Sequence, residues 1–245
     1  MARFFVAASN IFGGAAYIRG EDAAHFRVLR IRQGETFTVC DGAGTDYVCR
    51  LKDAADGEIC AEVLERRPSP GEPAVSCRVF AAFAKGDKLE TVIQKCVELG
   101  ASEIVAFPSA RCVAKPEGAA LLRRTERWQK IAQEAAKQSG RGRVPPVRCA
   151  ASFSEAVRDA AGADVPLFLY EGETQTDLRT ALARAETPQT VSVMTGPEGG
   201  FAPQEAAEAA AAGMQAVTLG PRILRCETAP MAAVCAVMLL TDNMK

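Results

Sequence analysis

The chain has 245 residues, 48% hydrophobic and 24% charged, with a net charge of −1. That length allows one large or two modest domains, and that balance excludes wholesale disorder. Nine cysteines, one histidine and no C-x-x-C pair exclude a zinc site of the usual spacing, so no metal is expected.

Arg3–Val6 reads as a short strand. Glu35–Asp41 alternates and ends in Asp41-Gly42-Ala43-Gly44, a hairpin-type turn; Thr45–Leu51 returns and Glu58–Leu64 alternates again. Short alternating strands with glycine turns predict a small barrel or sandwich. Arg66–Pro73, with three prolines and a glycine, reads as a linker. Beyond it the rhythm becomes strand and helix. Val75–Phe83 is an apolar strand, and Asp87–Leu99 a helix with Leu89, Val92, Ile93, Cys96 and Val97 on one face, closed by Gly100. Ile104–Phe107 is a buried strand and Pro116–Ser139 a long helix stopped by Gly140. Val165–Leu169, Val191–Met194 and Ala216–Leu219 are further strands; Ala206–Ala212 is helical, and Ala229–Leu240 is a nearly all-apolar helix. The alternation predicts a parallel sheet covered on both faces, with ligands beyond the carboxyl ends of its strands. The expected fold class is therefore α/β, with a β domain over 1–68 and an α/β domain over 74–245.

Charge is unevenly spread. Residues 111–148 carry ten Lys/Arg against three Asp/Glu, and residues 149–210 carry three against ten. The asymmetry suits a polyanion on one face, and equally two solvated helical faces. The longest apolar run, the twelve residues 229–240, falls short of the roughly 20 that a membrane span needs. Phe4–Ala8 is shorter than a secretory core of ~7–15 residues, so the cytoplasm is the expected compartment and no membrane partner is expected.

Two loops carry candidate chemistry. Thr195-Gly196-Pro197-Glu198-Gly199-Gly200-Phe201 lies between a strand and a helix, where its glycines permit close backbone approach and the helix start offers free N–H groups. It is neither a dinucleotide fingerprint nor a P-loop, and a plain strand-to-helix turn is the simpler reading. Leu219 to Thr228 packs Arg222, Arg225, Glu227 and the aliphatics Leu219, Ile223 and Leu224 into another such loop. Aliphatics in a loop suit the walls of a planar apolar ligand such as adenine, unless they are core and the charges solvated.

These residues carry a resemblance. GPEGGF at 196–201 followed by LGPRILRCETA at 219–229 resembles the closing signature of the ribosomal RNA small subunit methyltransferase E family, in the SPOUT class. Lys85-Gly86-Asp87-Lys88-Leu89-Glu90 with Gln94-Lys95 and Glu98-Leu99-Gly100 is similar to its K-G-x-K-x-E block, Ser109–Lys115 to its E-R-x-x-x-K stretch, and Trp128–Ile131 with Gln138–Arg141 to its W-x-K-I and Q-S-x-R block. Arg3-Phe4-Phe5 and His25 with Val28-Leu29-Arg30 also fit, so the resemblance spans nearly the whole chain. Cys226 stands where the family usually has Thr, Lys137 where it has Glu, Pro230 where Ala is common, and Ala202 where a capping Ser is usual.

The resemblance implies a PUA-like β-barrel over 1–68 and a SPOUT α/β domain with a trefoil knot over 74–245. It also implies a homodimer, S-adenosyl-L-methionine as cofactor, and methylation of a uracil N3 in 16S ribosomal RNA, free or in the assembled small subunit. On that footing Gly196, Pro197, Glu198, Gly199, Gly200, Leu219, Gly220, Ile223, Leu224, Glu227 and Thr228 are expected to hold the cofactor. Glu198 and Glu227 favour its sulfonium, bind ribose hydroxyls, or merely brace the loops. Arg225 is the expected catalytic residue, facing charge that develops on the uracil oxygens. Arg3, His25, Arg27, Arg30, Arg32, Arg111, Lys115, Arg141 and Arg143 are expected to contact RNA. Two alternatives stay open: a non-catalytic dimeric RNA-binding protein, and an enzyme that uses GPEGG for a nucleotide phosphate.

Overall fold

A computed structural model describes residues 2–55 and 57–244, with Glu21 described by its backbone alone. The chain divides into two compact units, residues 1–72 with 136–144, and residues 73–135 with 145–245.

The N-terminal unit is a six-stranded sheet made of β1 (Arg3–Phe5), β2 (Ile11–Phe12), β3 (Ala15–Ile18), β4 (Thr36–Cys40), β5 (Thr45–Ala55) and β6 (Glu58–Pro68), with helix α1 (Gly20–Val28). The order is β1-β4-β5-β6-β3-β2; β1 runs parallel to β4 and the other pairs are antiparallel. Phe4, Phe26 and Phe37 meet in the core, with Phe4 to Phe26 centroids at 5.2 Å and Phe26 to Phe37 at 4.9 Å. Phe26 brings α1 onto that cluster. The expected barrel does not close. The sheet ends at β1 on one side and β2 on the other, and among the described residues no pairing joins them. Among the described residues β2, two residues long, pairs with β3 alone. The expected linker is also shorter than its composition suggests, because Arg66, Arg67 and Pro68 extend β6 against Tyr47, Asp46 and Thr45.

Residues 136–144 join this unit through a partly buried carboxylate. Glu72 accepts from Arg141 Nη2 at 2.8 Å and from the backbone N–H of Gly142 at 2.9 Å and of Arg143 at 3.0 Å. The Gly44 N–H donates to the Gly142 carbonyl at 3.2 Å, and Ala43 pairs with Arg143. The domain limits expected from composition miss this return.

The C-terminal unit is built on six parallel strands: β7 (Ser76–Ala82), β8 (Glu103–Phe107), β9 (Val147–Cys149), β10 (Val165–Leu169), β11 (Thr190–Thr195) and β12 (Gln215–Val217). Their order is β12-β10-β11-β7-β8-β9, and every pair is parallel. The helices are α2 (Lys88–Glu98), α3 (Gly118–Ser139, shared by both units), α4 (Phe153–Ala160), α5 (Leu178–Leu182), α6 (Pro203–Ala211) and α7 (Thr228–Leu240). Of these β9, α4 and α5 are short and escape the sequence pattern, as β2, β3 and α1 do in the first unit. The apolar α7 buries Pro230, Ala233, Val234, Val237 and Met238 against α2, α5, β7 and β11, and leaves Leu239 59% exposed. Among the described residues no helix is long and apolar enough to cross a membrane.

Candidate active site

Strands β12, β10 and β11 are neighbours in the sheet, and the loop after each opens onto one cleft of about 1010 Å³. Gly196, Pro197, Glu198, Gly199, Gly200, Leu219, Gly220, Ile223, Leu224, Arg225 and Glu227 all line it. Thr228 lies outside the lining and opens α7, its N–H donating to the Arg225 carbonyl at 2.9 Å.

Backbone geometry explains two of the glycines. Gly200 has φ +65°, its N–H closes a turn onto the Pro197 carbonyl at 3.0 Å, and a Cβ there would run into the Glu171 carboxylate. Gly220 has φ +101°, a conformation that side chains rarely adopt, and open space around its Cα. The Thr218 hydroxyl fixes that turn, accepting the Gly220 N–H and donating to its carbonyl, both at 3.2 Å.

The charged groups are coupled. Glu198 Oε1 accepts from Lys88 Nζ at 2.9 Å and from the Lys85 N–H at 3.0 Å, and Lys88 Nζ is 4.0 Å from Glu227 Oε2. Burial works against the charged Glu198, but Lys88 and the Lys85 N–H outweigh it and hold the carboxyl below its ordinary range. Glu227 is also lowered, first by its own backbone N–H. The Cys226 thiol donates to Glu227 Oε2 at 3.2 Å, and burial with that carboxylate pushes it up to about 12. Cys226 is thus a neutral thiol near pH 7 and no proton acceptor. Arg225 is exposed at the cleft, and its guanidinium makes no hydrogen bond or ion pair among the described residues.

The cleft also takes residues that the two glycine loops did not reveal. Leu169 to Thr174 form its third loop with Tyr170, Glu171 and Glu173, and Lys88 comes from α2. Tyr-Glu-Gly-Glu after an all-apolar strand repeats the strand-then-glycine pattern of the other two loops, which is the signal that could have exposed it.

The basic residues separate into two kinds. Arg3 is bidentate to the fully buried Asp46, at 2.7 and 2.8 Å, and Arg141 is 3% exposed and paired with Glu72. Guanidiniums so committed fasten the N-terminal unit, and both leave the set expected to meet phosphate. His25, Arg27, Arg30 and Arg32 are exposed on α1 and the turn after it, as is Arg143. In the C-terminal unit Lys115 is exposed, and Arg111 donates to the Gly199 carbonyl at 2.9 Å beside the cleft. Among the described residues no His, Cys, Asp and Glu group could hold a metal.

A family model described as an RNA methyltransferase domain matches residues 71–238, and one described as an RNA methyltransferase PUA domain matches residues 18–64. The ribosomal RNA small subunit methyltransferase E of Mycobacterium bovis is 38% identical over 98% of this chain and 92% of its own length. Its Bacillus subtilis counterpart is 32% identical over 93% and 91%. A crystal structure of a ribosomal RNA small subunit methyltransferase E from Neisseria gonorrhoeae, bound to S-adenosyl methionine, superposes with a TM-score of 0.83 at 33% identity over 98% of both chains. These matches run the length of both units and include all three loops of the cleft, so the chain belongs to the ribosomal RNA small subunit methyltransferase E family.

Proposed function

We propose that this protein transfers a methyl group from S-adenosyl-L-methionine to N3 of one uridine in 16S ribosomal RNA, in the cytoplasm. The observation that supports this most directly is the convergence of three strand-end loops on one cleft that combines open glycine backbone, aliphatic walls and ionised carboxylates. When bound, the cofactor supplies an electrophilic methyl on a positive sulfur. Leu219, Ile223 and Leu224 wall its adenine, and Gly196, Gly199, Gly200 and Gly220 let the backbone come close. Glu198 and Glu227 favour the positive sulfur or accept ribose hydroxyls. Arg225 steadies the negative charge that the uracil oxygens gain as the N3 proton leaves for water, Cys226 being unable to take it. The experiment is to methylate small-subunit RNA from cells lacking this protein and analyse the nucleosides. One methyl at N3 of a uridine is expected; a methyl elsewhere, or none, sinks the reading.

His25, Arg27, Arg30, Arg32 and Arg143, with Arg111 and Lys115, are proposed to meet RNA phosphates, and the flipped base to enter the cleft. Arg27→Ala with Arg30→Ala should lower the slope of log affinity against log salt by about one unit per lost contact, leaving cofactor affinity intact. An unchanged slope would remove these two from the interface. A homodimer is proposed through the apolar surface that α7 leaves open at Leu239, for which sedimentation should give twice the chain mass. The interleaved order β12-β10-β11-β7 is compatible with a trefoil knot. Pulling the termini should then stop short of full extension.

A further inference from the structure

Lys88 has no part in the reading above, yet it lines the cleft. It is the first residue of α2, where the helix dipole disfavours a cation. Two carboxylates offset that placement: Glu198 at 2.9 Å and Glu227 at 4.0 Å. The Glu198 oxygen that accepts from Lys88 also accepts the Lys85 N–H. Glu198 is therefore gripped at one oxygen by the start of α2, while the turn that carries it is closed by the Gly200 to Pro197 bond and held at the Gly199 carbonyl by Arg111. Lys88 thus ties a loop rich in glycine to a helix that packs against α7 in the same unit.

We infer that Lys88 is a positioning residue: it fixes the Glu198 carboxylate at one place in the cleft, and through it the cleft prefers the positively charged sulfonium donor to the neutral thioether product. The inference rests on the assignment of the cleft to the donor. It has a sign that separates it from a direct charge effect. Acting only as a like charge, Lys88 repels the sulfonium, so its removal would raise the preference for donor over product. Acting through Glu198, its removal lowers that preference, because the carboxylate is released from its position.

The test is calorimetric titration of the full chain with S-adenosylmethionine and S-adenosylhomocysteine. Lys88→Met should lose roughly tenfold in affinity for the donor, the scale of one charge-assisted hydrogen bond, while affinity for the product stays within about twofold. Lys88→Arg should recover most of the loss. In a Glu198→Gln background, Lys88→Met should change the ratio no further. Donor binding by Lys88→Met should also weaken at a higher pH than in the parent. Glu198 is held below its ordinary range while Lys88 grips it, and freed, it protonates nearer that range as the pH falls. Lys88→Gln carries the same test if methionine compromises folding. A donor-to-product ratio that rises or stays unchanged overturns the inference, as does equal loss of both ligands, which marks a merely structural role. Parent protein that binds neither ligand overturns the cleft assignment itself.

Discussion

Arg225→Ala should bind donor and RNA as the parent does and lose roughly 10²–10³-fold in single-turnover methyl transfer, the usual cost of deleting one donor aimed at developing charge. Two features of the loop make this a clean test. The Arg225 carbonyl, which accepts the N–H groups of Thr228 and Ala229 at 2.9 Å, survives the substitution, so the start of α7 is kept. The guanidinium makes no hydrogen bond or close ion pair among the described residues and acts on Glu227 only as a distant charge, so its loss strands no buried partner. Lys should restore only part of the rate, because an ammonium cannot present two parallel donors. A variant that methylates at the parental rate with saturating RNA would falsify the catalytic assignment.

Glu72→Ala should destabilise the N-terminal unit by about 3 kcal/mol in urea denaturation, the lower end of the range for removing one member of a buried ion pair, because Glu72 is only partly buried and Arg141 keeps other contacts. The side chains of Arg141 and Glu72 are 4% and 15% exposed, so water replaces little of what is lost. The substitution also takes the acceptor from the Gly142 and Arg143 N–H groups. If backbone pairing at Gly44 and Ala43 alone fastened residues 136–144, the loss would stay near 1 kcal/mol.

Much of this structure is legible one residue at a time. Alternation marks β4 to β6, and apolar runs closed by glycine mark β7, β10 and β11. The loops at 196–200 and 219–227 stand out because glycines and aliphatics sit where turns usually carry polar residues. The hidden parts depend on distant partners. Arg3 and Arg141 look like phosphate contacts by charge, but their carboxylates lie 43 and 69 positions away in sequence, and only the fold brings them together. Helix α1 is hidden because only Ala23 and Phe26 among its described side chains reach the core, too few for a periodic stripe. Lys88 sits in the quoted K-G-x-K-x-E block, but its purpose depends on Glu198, 110 positions on.

The return of residues 136–144 to the first unit sets a timetable for synthesis. A protein emerging from its amino end usually settles its domains in that order. Here Arg3, Asp46 and Glu72 emerge well before Arg141 and Gly142, so the first unit waits half-built through the two strand-and-helix stretches that follow Glu72. Only when residue 144 is out can the carboxylate of Glu72 meet its donors, and by then β7 and β8 of the second unit are already available to pair. The two units therefore mature together, and a gene fragment cut in the proline-rich stretch would encode a first domain that lacks its last piece.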